Sequence, residues 1–148
     1  MIRKATKEDL SIITEIEKYS FESSDRFSSR VIRYHIKKEK TFVITKDGTV
    51  IGYMILVYYK SNIRIYSIAI LPQFRKKGYG TKLILHALDI AKKMHKKYLS
   101  LEVNVHNKRA IALYETIGFI KQCRIQKYYH GKVDAYKMHR FVKNGNIG

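Results

Sequence analysis

Chemistry concentrates first in Arg75-Lys76-Lys77-Gly78-Tyr79-Gly80-Thr81, which follows an apolar run ending at Ile70 and Leu71 and the chain's only proline, Pro72. A loop that enters a helix leaves the first backbone N–H groups without intrahelical partners, and the helix dipole favours a negative charge there. Gly78 and Gly80 carry no side chain to block that approach, and three cations precede them. The spacing predicts a phosphate held on main-chain amides. It is not a nucleotide P-loop, because Gly80-Thr81-Lys82 does not give the Gly-Lys-Ser/Thr ending. Nor is it a dinucleotide fingerprint, since Leu83 stands where the third glycine belongs. A second feature is Glu102, an acid inside a predicted strand, where burial is expensive unless the group is paired or used. Pairing with one of the many lysines is the plain alternative. Metal and nucleophile chemistries do poorly. The six histidines show no ligand spacing, Cys123 lacks a CxxC partner, and no serine elbow occurs.

Elements must hold these residues, and the chain supplies them in a mixed α/β order. Ile2–Ala5 reads as a short strand, and Thr6 as a helix cap followed by Glu8 and Asp9. Leu10, Ile13, Ile16 and Tyr19 form an apolar stripe, and Val31, Ile32, His35 and Ile36 a second helix ending near Lys40. Asp47-Gly48 is a hairpin turn between strands at Thr41–Thr45 and Val50–Tyr59. The glycine loop opens a helix whose buried face is Ile84, Ala87, Leu88, Ala91 and Met94. Tyr98–Val105 alternates, so Leu99, Leu101 and Val103 face away from Ser100, Glu102 and Asn104. Asn107 caps a helix carrying Ala110, Leu113, Tyr114 and Ile117, and Gly118 closes it. A final hairpin turns at His130-Gly131-Lys132, Cys123 falls in its first strand, and the tail 143–148 is expected to fray.

The whole is 148 residues, one domain by size, taken as residues 1–142 plus the tail. No apolar run approaches the roughly 20 residues that span a bilayer, and one cysteine suits a reducing compartment, so a cytoplasmic protein with no membrane partner is expected. Thirty basic against twelve acidic residues give a formal charge of +18, which attracts polyanions. The lysines are scattered along the chain. Direct nucleic-acid binding is therefore open but not required.

Three motifs carry a family resemblance. Arg75-Lys76-Lys77-Gly78-Tyr79-Gly80 reads as Arg/Gln-x-x-Gly-x-Gly/Ala and resembles the acyl-CoA pyrophosphate loop of the GNAT acetyltransferases. Leu101-Glu102-Val103, Asn107, Ala112-Leu113-Tyr114-Glu115 and Gly118-Phe119 resemble the strand and helix that close that domain. Tyr128-Tyr129-His130-Gly131-Lys132-Val133-Asp134-Ala135-Tyr136-Lys137-Met138 is similar to the terminal hairpin of the RimI-like protein N-terminal acetyltransferases. The resemblance implies a GNAT fold, with a mostly antiparallel central sheet splayed at its two middle strands and about four helices.

It also implies roles. Acetyl-CoA is the co-substrate, with its pyrophosphate on Arg75, Lys76, Lys77, Gly78, Tyr79, Gly80 and Thr81, its acetyl end at Ile70 and Leu71, and Asn107 along its chain. An N–H near Ile70 polarises the thioester carbonyl. Glu102 stands as general base, and Tyr114 as general acid beside the cofactor. Tyr128 and Tyr129 line the peptide slot; Tyr66, with Glu22 and Asp25, is a weaker choice for the amine site. Strand packing or a core position would also account for these tyrosines. An α-amine has a pKa of about 7.7–8.0 against about 10.4 for lysine, so freeing lysine costs roughly 3.5 kcal/mol more. A modest carboxylate base therefore suits protein N-termini, ribosomal proteins among them. A polyamine-type acetyltransferase is the alternative, and a non-catalytic basic module for ribosome or nucleic acid a further one.

Overall fold

The computed structural model describes residues 1–21 and 26–142, so Glu22, Asp25 and the tail 143–148 lie outside the described residues. The elements run β1 (Ile2–Lys4), a 3-10 turn (Lys7–Asp9), α1 (Leu10–Ser20), α2 (Ser29–Lys37), β2 (Thr41–Lys46), β3 (Thr49–Tyr58) and β4 (Asn62–Ile70). A 3-10 turn (Pro72–Phe74), α3 (Tyr79–Lys93), β5 (Tyr98–Asn104), α4 (Lys108–Ile117), β6 (Ile120–Tyr129) and β7 (Val133–Phe141) follow. The strands form a seven-stranded sheet in the order β1-β2-β3-β4-β5-β7-β6. Pairs β1–β2, β2–β3, β5–β7 and β6–β7 are antiparallel. β3 and β4 are neighbours joined by only three residues, too few for a parallel crossover. β4–β5 is parallel, and its ladder pairs only Asn62–Arg64 with Tyr98–Ser100, although the strands are nine and seven residues long. That short ladder agrees with the expected splay at the middle of the sheet.

The chain divides into two compact units: Met1–Leu56 with Tyr66–Ile84, and Val57–Ile65 with Leu85 onward. In the first, Ile13 and Ile16 of α1, Ile32 and Ile36 of α2, and Val43, Tyr53 and Ile55 of the strands form one core. Tyr19 departs from the expected stripe and is 57% exposed, because it sits in the last turn of α1, where the core runs out. Lys7–Asp9 is a 3-10 turn rather than the first turn of α1. The Asp9 carboxylate accepts the Thr6 N–H at 2.8 Å and a fork from Arg3 at 2.8 and 3.0 Å. The Arg3 hydrogen bond is the chief reason its pKa lies below the ordinary aspartate value. Gly52 of β3 fits tightly against β4: a Cβ there would lie 2.4 Å from Ile70 Cδ1 and 2.9 Å from the Ala69 carbonyl oxygen.

In the second unit Leu99, Leu101 and Val103 are buried as the alternation predicts, together with Ala135 and Met138 of β7. α4 buries Ile111, while Leu113 is 39% exposed, so its inward face is turned one residue from the expected stripe. α3 buries Leu83, Ile84, Ala87, Leu88 and Ala91, but Met94 lies beyond the helix end and is 43% exposed. Gly118 takes the left-handed cap at φ 108°, and Arg140 lies across it, with Nε donating to the Ile117 carbonyl at 2.9 Å. Cys123 is an exposed residue of edge strand β6.

Candidate active site

In the first unit, β4 ends at Ile70 and Pro72 starts the turn that leads into the glycine loop. The Leu71 N–H donates to the Ile51 carbonyl at 2.8 Å, so the polarising N–H expected near Ile70 is not that of Leu71. Arg75 turns back from the loop. Its Nε donates to the Ile70 carbonyl at 3.0 Å and its Nη2 to Ser20 Oγ at 3.2 Å, beside the C-terminus of α1, where a cation is favoured. Arg75 therefore braces the loop, and the exposed charge falls to Lys76 and Lys77.

The first bond of α3 runs from the Lys82 N–H to the Gly78 carbonyl at 3.0 Å. The N–H groups of Tyr79, Gly80 and Thr81 thus precede any intrahelical partner. Gly78 has φ +87°, which requires glycine, and a Cβ on it would meet nothing within 4 Å. Gly80 has no such backbone demand, and a Cβ there would meet only Ile70 Cγ1, at 4.0 Å. Among the described residues no close contact accounts for a glycine at 80.

Sequence reasoning weighed Glu102 as a buried acid but not Glu17. Glu17 of α1 is 1% exposed. It accepts the Tyr53 hydroxyl, Ser67 Oγ at 3.2 Å and the Phe27 N–H at 3.1 Å. Burial, and then the Glu17 charge, push the Tyr53 phenol well above its usual pKa. Glu17 lies four residues after Ile13 on the inward face of α1, a placement that could have marked it. Beside it, Tyr66 is packed rather than open: its ring stacks on Phe27 at 4.8 Å and lies 5.0 Å from His35.

Glu102 is the centre of the second unit's polar face. Alternation along β5 puts Ser100, Glu102 and Asn104 opposite the buried leucines, and the ladders add Asn62 and Arg64 from β4 and Lys137 and His139 from β7. A polar groove of about 380 Å³ is lined by Asn62, Arg64, Ser100, Glu102, Tyr128 and Lys137. The Glu102 side chain is 7% exposed and forms an ion pair with Arg64. Oε1 accepts Arg64 Nη2, Arg64 Nε at 2.9 Å and the Tyr128 hydroxyl at 3.1 Å. Oε2 is buried with no hydrogen-bond partner among the described residues. Burial works against the Arg64 charge, and the Glu102 carboxylate outweighs it, holding the guanidinium pKa above its ordinary value. Burial and then the Glu102 charge raise that of Tyr128. The Tyr129 hydroxyl reaches the Glu102 carbonyl at 3.4 Å. Both hairpin tyrosines thus converge on Glu102. Both readings of that acid, paired and used, stay open chemically, since one oxygen is paired and the other is not. Arg64 was not among the expected residues; its place on the polar side of an alternating strand was the available signal.

Asn107 Oδ1 accepts the Ala110 N–H at 3.2 Å, the predicted cap. Tyr114, partly buried on α4, has its ring 5.8 Å from Phe119. Burial pushes its phenol up to about 12. No cluster of metal-ligating side chains occurs among the described residues.

Residues 8–119 match the model of the family described as Acetyltransferase (GNAT) family. The chain is 31% identical over 121 residues to N-alpha-acetyltransferase 30 of Schizosaccharomyces pombe, covering 77% of this chain and 81% of that protein. Ard1 from Thermoplasma volcanium superposes with TM-score 0.90 at 26% identity, over 97% of this chain and 98% of the other. The ribosomal-protein-S18-alanine N-acetyltransferase from Escherichia coli superposes with TM-score 0.85 at 26% identity, over 100% and 98%.

Proposed function

Because the chain belongs to the acetyltransferase (GNAT) family, we propose that it moves the acetyl group of acetyl-CoA to the N-terminal α-amine of proteins or peptides. The observation that carries this reading is the convergence of the hairpin tyrosines Tyr128 and Tyr129 on Glu102, whose Oε2 has no hydrogen-bond partner among the described residues. The names of the relatives, N-alpha- and ribosomal-protein-alanine acetyltransferases, support the same amine class. Residues 1–142 are read as one catalytic domain, and an exposed unpaired Cys123 suits the cytoplasm. No helix among the described residues is long and apolar enough to cross a membrane.

The chain's residues fit acetyl-CoA. Open space over Gly78 and Gly80 and the unpartnered amides of Tyr79, Gly80 and Thr81 suit its pyrophosphate, with Lys76 and Lys77 adding charge. Ile70 and Leu71 flank the acetyl end, and Asn107 bonds the pantetheine chain beyond its capping role. Acetyl-CoA supplies a thioester whose acetyl carbon forms a bond to the amine nitrogen as its bond to sulfur breaks. Glu102 takes one proton from the substrate ammonium, freeing the lone pair. Tyr114 gives its proton to the departing sulfur and recovers one from the new amide nitrogen. With a pKa of about 12, this phenol holds its proton at neutral pH. Tyr128 and Tyr129 border the peptide.

An acetyl-CoA assay across short peptides varying in their first two residues, with spermidine and a lysine-bearing, N-terminally blocked peptide alongside, tests the proposal. Turnover of free N-termini with spermidine silent is expected. Spermidine turnover without peptide turnover would favour a small-amine enzyme. Salt-sensitive RNA binding with no thiol release on any amine would leave a basic ribosome or nucleic-acid module.

A further inference from the structure

An arginine that simply neutralises a carboxylate commonly does so fork to fork, one donor on each oxygen. Arg64 does otherwise. Its Nε and Nη2 both end on Glu102 Oε1, the Tyr128 hydroxyl joins them there, and Oε2 stays buried without a partner among the described residues. We propose that Arg64 is a positioning residue for acetyl transfer, fixing Glu102 through Oε1 so that Oε2 is the oxygen left without a protein donor and able to take the proton of the amine.

The proposal rests on reading Glu102 as the base, and the fold explains why Arg64 serves it. Arg64 opposes Ser100 in the last pair of the β4–β5 ladder, one side-chain step from Glu102 on the same face. A long side chain bridges such a diagonal. The guanidinium is itself held by the Tyr128 hydroxyl at 3.0 Å and by Tyr59. Lys137 stands directly opposite Glu102 in the β5–β7 ladder yet makes no ion pair with it among the described residues, and His139 lies next along β7. Of the groups facing Glu102 from β4, β6 and β7, Arg64 is the cation in contact. Three donors on Oε1 restrain the carboxylate. Its other oxygen keeps an unused acceptor position, which an ammonium proton can fill. In the step itself, one N–H bond of the ammonium breaks, its electron pair stays on nitrogen for attack on the acetyl carbon, and the proton forms an O–H bond at Oε2.

Steady-state kinetics of Glu102→Gln, Arg64→Met, Arg64→Lys and the Arg64→Met/Glu102→Gln pair, with melting curves for each, test the idea. Glu102→Gln should lower kcat by about a hundredfold or more. Arg64→Met should lower kcat by about tenfold to a hundredfold with acetyl-CoA KM within about twofold, and should add less than about twofold on the Glu102→Gln background. Arg64→Lys keeps the charge but loses the planar fork, and should recover only part of the rate. Equal losses from Arg64→Met in both backgrounds, or an Arg64→Lys enzyme as fast as the parent, overturn the proposal while leaving Glu102 as base. A fully active Glu102→Gln overturns both. If Arg64→Met does not fold, the Arg64→Lys arm decides alone.

Discussion

Tyr114 shows how placement sets the work a side chain can do. Partly buried on α4 against Phe119, its phenol is pushed from about 10 for a free tyrosine up to about 12. The sign follows: a proton held more tightly in the folded chain favours the neutral form up to the unfolded pKa, and that contribution is lost only as pH rises through the folded one. Ionisation of Tyr114 should therefore cause no fall in turnover up to about pH 10, as a pH–rate profile will show. Tyr114→Phe should lower kcat by about a hundredfold with little change in acetyl-CoA KM. Equal damage to both constants would assign Tyr114 to packing. The strand holding Glu102 and the helix holding Tyr114 were legible in the sequence because alternation and capping are local signals, while the roles of both residues came from the family resemblance. Arg64 and Glu17 were not legible, because what makes them matter is a partner 38 residues away in one case and 36 and 50 in the other. Alternation and helical spacing tell which face a side chain occupies, but not what it meets there.

Among the elements, the β3–β4 pair and the start of α3 use glycine for opposite reasons, and the difference can be measured. Gly52 lets β3 lie against Ala69 and Ile70, so Gly52→Ala should destabilise the fold by about 1–3 kcal/mol in denaturant titration. Gly80→Ala meets no atom closer than Ile70 Cγ1 and should leave stability within about 0.5 kcal/mol. It should nevertheless weaken acetyl-CoA binding about tenfold in calorimetry, since a methyl group would stand in the proposed phosphate seat. Unchanged affinity would detach the loop from the ligand. Helices, hairpins and the glycine turn were readable because capping, turn residues and periodicity are local signals, as at Asn107, Asp47-Gly48 and Gly118. The errors fall at helix ends and on narrow stripes. Tyr19 and Met94 continue a spacing past the point where there is a core to face, and α4 buries Ile111 where Leu113 was expected.

For the molecule as a whole, the formal charge of +18 is the leading property, and acetyl-CoA is an anion. Surface cations raise the local concentration of such a ligand, and salt screens them over about 8 Å at physiological ionic strength. Acetyl-CoA KM should therefore rise severalfold between about 0.05 and 0.5 M salt while kcat holds steady; a flat KM would confine the attraction to the loop itself. Total charge could be counted from composition. Its division could not, since Arg75 is spent inside the fold while its neighbours Lys76 and Lys77 face outward. That inward turn has a mechanical meaning. One guanidinium strings together the end of β4, the approach to α3 and the last residue of α1, so the proposed phosphate seat inherits the stiffness of a helix more than fifty positions earlier in the chain. Ser20, which touches no expected ligand, becomes a remote tuning point for the seat, and coenzyme binding would in return quieten the tip of α1.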